Sequence, residues 1–213
     1  MTEKLILATI ETVQMVGVSI LWTVLIGLPL GIVLYASGPQ GTRPRPSVHR
    51  ILGVIVNVGR SAPFVILMVA ITPVTRLLVG TTIGSAAAIV PLAVAAIPFF
   101  ARLVESALLA VDPGLIEAAE SMGATHSGIV RRVLVPESLP GLVRGLTVTL
   151  VAVTGYSAMA GAIGGGGLGD LAIRYGYQRY QTGYMVATVV LLVVLVQVFQ
   201  FIGDRAAHRL DHR

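Results

Sequence analysis

The chain has 213 residues, 55% of them hydrophobic and 12% charged, with a mean hydropathy of +0.87. A soluble domain carries about 25% charged residues, so a water-soluble fold is excluded and a membrane is implied. The net charge of +5 comes with no basic stripe interleaved with aromatics, which argues against nucleic acid as a partner. With no cysteine, disulfides, thiolate metal sites and cysteine nucleophiles are also excluded.

The apolar runs follow in chain order. Residues 12–42 hold no Asp, Glu, Lys or Arg and are centred on Val16–Ala36, longer than the roughly 20 residues a crossing needs. The run exceeds a signal peptide's apolar core, and no small-x-small cleavage site follows it. It reads as a retained first span. Residues 51–59 are apolar too and either open the second span or lie as an interfacial helix. The second run, 61–75, sits between Arg60 and Arg76. It crosses only if those arginines snorkel to opposite headgroup layers. The third, 77–101, carries Pro91 and Pro98, each freeing a carbonyl that a neighbour or a watery cavity must satisfy.

The fourth run, 145–169, is rich in Gly, Ala, Ser and Thr, and Gly161 and Gly165 form a small-xxx-small pair. Its glycine-rich end, Gly161–Asp170, has no lysine and reads as a flexible loop or helix end rather than a phosphate site. The fifth, 180–203, is rich in leucine and β-branched residues, which suits lipid contact. The expected fold is therefore an all-α integral membrane protein with five transmembrane helices. Residues 1–213 form one membrane domain, with spans three and four lining its interior. With the N-terminus outside and the C-terminus cytoplasmic, eleven of the 15 Lys and Arg fall in cytoplasmic segments, Arg213 among them. That is the positive-inside bias. His49, His126, His208 and His212 lie outside the apolar runs and form no metal-binding pair, so no metal and no cofactor is expected.

No Asp or Glu lies within the five runs, whereas proton- and sodium-coupled carriers need such groups in the membrane. No phosphate-binding lysine loop is present either. Uphill transport by this chain would then draw its energy from another polypeptide. The cytoplasmic stretch 112–144 is where that partner would dock. Asp112 is placed to N-cap a helix with Pro113 at its first position, running to about Met122 and stopped by Gly123. Glu117 and Glu120 share one face beside an apolar stripe of Leu115, Ile116, Ala119 and Met122. Ser127 is placed to cap a second short helix over 128–135, ended by Pro136.

Glu117-Ala118-Ala119, then Gly123, then Val133-Leu134-Val135-Pro136 resembles the EAA loop of binding-protein-dependent ABC importer permeases, with valine at the Ile and Leu positions of that pattern. The resemblance implies the type I importer fold. It also implies that the loop is a coupling helix seated in a cleft of a separate ATPase subunit, with Glu117, Ala118, Ala119, Gly123 and Pro136 as the ATPase-coupling residues. Further strings resemble the methionine-importing branch of that family: Arg60–Phe64, Ala95–Glu105, Val153–Tyr180 and Phe201–Arg205. That implies a homodimer in the inner membrane of a bacterium, surrounded by membrane lipid. Its partners would be two copies of the ATPase subunit and an extracytoplasmic methionine-binding protein. Transport would proceed by alternating access, for D- and L-methionine, with no enzymatic activity on this chain. Tyr156, Ser157 and Met159 in span four are candidates for the translocation path or gate. A permease for another small solute in the same class and a self-contained channel are the alternatives. A membrane enzyme finds no clustered acid, base or nucleophile in the runs.

Overall fold

The computed structural model describes residues 1–211; His212 and Arg213 lie outside the described residues. The long helices are α1 (Thr2–Ser37), α5 (Ser85–Leu109), α8 (Val135–Ala162) and α10 (Thr182–Leu210). Between α1 and α5 lie three shorter helices, α2 (Pro46–Ser61), α3 (Phe64–Ala70) and α4 (Thr72–Val79). Between α5 and α8 lie α6 (Pro113–Ser121), α7 (His126–Ile129) and a π-helical segment, Val130–Leu134. A five-residue helix α9 (Gly167–Leu171) and a second π segment (Ala172–Tyr177) lead into α10.

Four of the five expected spans are single long apolar helices. The second is not a straight crossing. Residues 61–75 are broken at Pro63 and again at Ile71, and α2 and α3 meet at 103°. Pro63 disfavours helix at its preceding residue, and Ala62 is extended (φ −73°, ψ 127°). The arginines therefore do not bracket one straight span: Arg60 ends α2 and Arg76 lies within α4. Residues 77–79 of the expected third span also belong to α4, and α5 begins at Ser85.

The bundle is built around α5, which packs against α1, α2, α3, α4 and α8. In lipid, helices gain little from apolar burial, so close van der Waals fit decides packing. That fit comes from Gly27 and Gly31, one turn apart on α1. A Cβ at Gly31 would lie 2.5 Å from Val104 Cβ and 2.6 Å from the Ala101 carbonyl; at Gly27 it would lie 3.1 Å from Phe100. The small-xxx-small pair at work is thus on α1. The expected pair fails because α8 ends at Ala162 and Gly165 lies beyond it. Gly161 instead abuts α9, where its Cβ would meet the Asp170 amide at 2.3 Å.

Most buried hydroxyls are satisfied by helix carbonyls. Thr12, Thr23, Thr149 and Thr154 each donate to the carbonyl four residues earlier, and Ser19 reaches across to the Ile89 carbonyl. Arg102, in the last turns of α5, bonds both Glu105 and Asn57 of α2, tying the two helices together. Glu105 is buried beside it. The apolar window of α10 is 6% buried, so this helix faces outward, as its lipid-like composition predicts. The glycine-rich stretch ends α8, turns at residues 163–166 and opens α9 against α1. Gly167 (φ +73°) donates its amide to Glu11 Oε2 at 2.8 Å, and Leu168 donates to Thr12 Oγ1 at 2.9 Å. At the same end Lys4 donates to Tyr175 Oη at 2.8 Å, which holds that phenol below the usual tyrosine range.

Candidate coupling site

The Asp112 carboxylate accepts the Gly114 amide at 2.8 Å and Pro113 occupies the first turn, so α6 starts as its sequence predicts. It ends in a Schellman closure. Gly123 donates to the Glu120 carbonyl at 2.9 Å and Ala124 to the Ala119 carbonyl at 3.0 Å. Gly123 has φ +79° with no atom near a would-be Cβ. The backbone conformation, not space, requires glycine there. Asp112→Ala should destabilise α6 by about 1 kcal/mol. Amide hydrogen exchange over residues 113–121 would then speed up roughly fivefold; an unchanged rate would mean the cap is idle.

The faces of α6 differ from the expected stripe. Ile116 and Ala119 pack inward, Ala119 being 5% exposed among Tyr35, Val111, Ile129 and Leu134. Leu115 and Met122 point away from that core, Met122 at 82% exposure. Ala119 is thus small because α6 lies close on the body of the chain, rather than being presented outward. Glu117, Ala118 and Glu120 are exposed. The two glutamates share the wall of an open groove of about 570 Å³ with Ile116 and the Pro39–Thr42 turn. The sequence signal for Met122 was its place at the end of a capped helix, one residue before the glycine stop, where the backbone turns away from the core.

The second half of the loop also departs from expectation. Thr125, not Ser127, caps the next helix, accepting the Gly128 amide at 3.2 Å. Pro136 does not end that helix. The π segment precedes it, with Val135 donating to the Val130 carbonyl. The widened turn accommodates a proline that would otherwise break the α-helical register. His126 to Ala162 is consequently one 37-residue helical body. The second arm of the hairpin, α7, is thus continuous with the fourth span, and α6 joins it through the turn at residues 122–125 and packs against it through Ala119.

Along α8, Val148, Gly155 and Met159 are exposed at seven- and four-residue intervals, one open face of the helix. Met159 lies on it at 48% exposure. Tyr156 is turned aside and stacks on Phe64 of α3 with ring centroids 4.9 Å apart. Ser157 is 1% exposed and donates to the Thr154 carbonyl at 2.7 Å, so it packs within the chain and does not reach a path at its surface. Of the three candidates, the geometry leaves Met159 available to line one. Among the described residues no cluster of three or more metal-ligating side chains is found.

The chain is a bundle of long apolar helices with an exposed helical hairpin whose second arm runs unbroken into a span. The chain belongs to the family of binding-protein-dependent transport system inner membrane components, whose model matches residues 27–213. It is 54% identical to the probable D-methionine transport system permease protein MetI of Vibrio cholerae, over all of this chain and 94% of that one. It is 50% identical to the corresponding protein of Pasteurella multocida, over 97% of this chain and 95% of that one. A chain of the MetNI methionine ABC transporter, solved in an inward-facing conformation, superposes with a TM-score of 0.97 at 48% identity, covering 100% of this chain and 98% of that one.

Proposed function

We propose that this chain is the permease subunit of an ATP-driven methionine importer in the bacterial inner membrane, taking D- and L-methionine. It forms one membrane domain and works as a homodimer, with two copies of a separate ATPase subunit that carries the hydrolysis. An extracytoplasmic binding protein delivers the solute. The N-terminus lies outside and α6 on the cytoplasmic side. The observation that carries this reading is the unbroken helix from α7, the second arm of the hairpin, into α8, with α6 packed on its start through Ala119. A displacement imposed at α6 then moves a membrane-spanning rod rather than bending a linker.

Glu117 and Ala118 of α6 and Met122 at its C-cap are the exposed residues that meet the ATPase. Ala119, Gly123 and Pro136 act from behind: the first seats the helix, the second closes it, and the third lies just past the widened turn that joins it to the span. ATP closes the motor pair, the α6 helices move with it, and the two permease copies rock the path open to the outside. Within the apolar runs the chain offers solute no charged group, so the site guides methionine and the binding protein selects it.

The test is uptake of labelled D- and L-methionine by proteoliposomes holding this chain with its ATPase and binding protein. ATP-dependent accumulation supports the reading. Accumulation by this chain alone would end it. A second measurement addresses the open face of α8. Met159→Ala removes an adaptable apolar plug and should raise solute leak or uncoupled ATP hydrolysis several-fold. If neither changes, Met159 is a packing residue.

A further inference from the structure

Thr75 of α4 is the exception to the hydroxyl pattern of this bundle. It is 4% exposed, and among the described residues its Oγ1 is the fully buried side-chain polar atom with no hydrogen-bond partner. The other buried threonines named above turn onto the carbonyl four residues back. For Thr75 that would be the Ile71 carbonyl, which instead accepts only the Thr75 amide, at 2.9 Å. Thr75 lines a cavity of about 20 Å³ together with Thr72, Thr82, Ala87 and Pro91. A water needs about 10–15 Å³ and two to four polar partners.

The opposite wall is incomplete for an independent reason. Pro91 lies inside α5 and has no N–H, so the Ala87 carbonyl, one turn earlier, lacks its helical donor. Ala87 is 3% exposed. An unpaired hydroxyl on α4 and a proline-freed carbonyl on α5 thus border one space of one-water size. Each would carry the cost of a lost hydrogen bond if left dry.

We infer that this cavity is a built hydration site, holding a single ordered water that joins the broken second span to the Pro91 turn of α5. The water accepts from the Thr75 hydroxyl and donates to the Ala87 carbonyl. The Thr82 hydroxyl is the third partner. The Thr72 hydroxyl donates to the Met68 carbonyl at 3.2 Å and keeps a lone pair towards the cavity. The joint between α4 and α5 is therefore polar and exchangeable, unlike the close glycine-set packing of α5 against α1. Helices joined through a water can shift and re-form the bond without repacking side chains.

The test is a double-mutant cycle on the assembled importer in lipid nanodiscs, read as apparent Tm. Thr75→Val keeps the shape and deletes the hydroxyl. Pro91→Ala gives the Ala87 carbonyl its own donor. Thr75→Val should lower Tm by about 2–4 °C in the native background, and by less than half as much when Pro91→Ala is present. Equal drops in both backgrounds, or no drop, would overturn the assignment. A high-resolution density map decides independently of how the variants fold. A peak about 2.7–3.2 Å from both Thr75 Oγ1 and the Ala87 carbonyl oxygen is expected. An empty cavity with the hydroxyl turned onto the Ile71 carbonyl would refute it, as would a peak at the shorter contacts of a metal cation.

Discussion

Gly31→Leu is expected to abolish the folded chain. A single carbon at this position would already fall 2.5 Å from Val104 Cβ and 2.6 Å from the Ala101 carbonyl. One of those neighbours is backbone, so no side-chain rotation makes room. α1 would have to leave α5, the helix around which the bundle is built. Overpacking costs typically 1–3 kcal/mol where side chains can yield; here the cost exceeds that range. Membrane-inserted, monodisperse protein, read by size-exclusion chromatography of a tagged chain, should fall to background. Gly17→Leu on the same helix is the matched control, because no atom lies within 4 Å of its would-be Cβ. If Gly31→Leu purifies as well as Gly17→Leu, the α1–α5 contact is not set by glycine.

Glu117→Lys is expected to leave the fold intact and to cut ATP-driven uptake at least tenfold. The residue is exposed on α6, so reversing its charge costs the isolated chain little. At an interface, disrupting a desolvated charge costs about 2–5 kcal/mol, more than enough for that loss. Co-purification of the ATPase subunit should weaken in parallel, and Met122→Ala should produce a smaller loss of the same kind. Full uptake by the Glu117→Lys importer would remove α6 from the coupling interface. An unstable Glu117→Lys chain would be a different failure, of the helix rather than the grip.

Much of the fold and part of the site were legible in the chain. Long uncharged runs can only be buried in lipid or protein, so four spans were visible directly. The N-cap at Asp112 and the stop at Gly123 are local devices, written within a few residues, and both formed as read. The bend between α2 and α3 was harder to see. Composition reports how apolar a segment is, and residues 51–59 of α2 and all of α3 are largely apolar. Their angle depends on a proline-set turn and on the α5 surface that receives them. The cap at Thr125 rather than Ser127 is a two-residue shift, decided by how the π segment winds into α8.

The coupling residues divide along the same line. The resemblance to the EAA loop marks Glu117, Ala118, Ala119 and Gly123 as a group, since their spacing is a sequence property. Which of them face out is a packing property. Ala119 turned inward because its small side chain lets α6 approach Ile129 and Leu134, residues distant enough in the chain that no local pattern announces them. Ser157 likewise went to the interior because its hydroxyl found a carbonyl one turn back.

By itself the sequence determined that the chain lives in a membrane, where its long helices run, and where a capped helix stands between two of them. Those properties follow from hydrophobic transfer and from hydrogen bonds closed within a few residues. The tertiary structure alone decided that the second span is broken, that Gly27 and Gly31 set the α1–α5 contact, and that the hairpin is continuous with α8. It also decided that Met122 and Met159 are presented while Ala119 and Ser157 are hidden. In lipid there is little apolar driving force to orient a helix, so its facing is settled by shape complementarity between segments far apart in the chain.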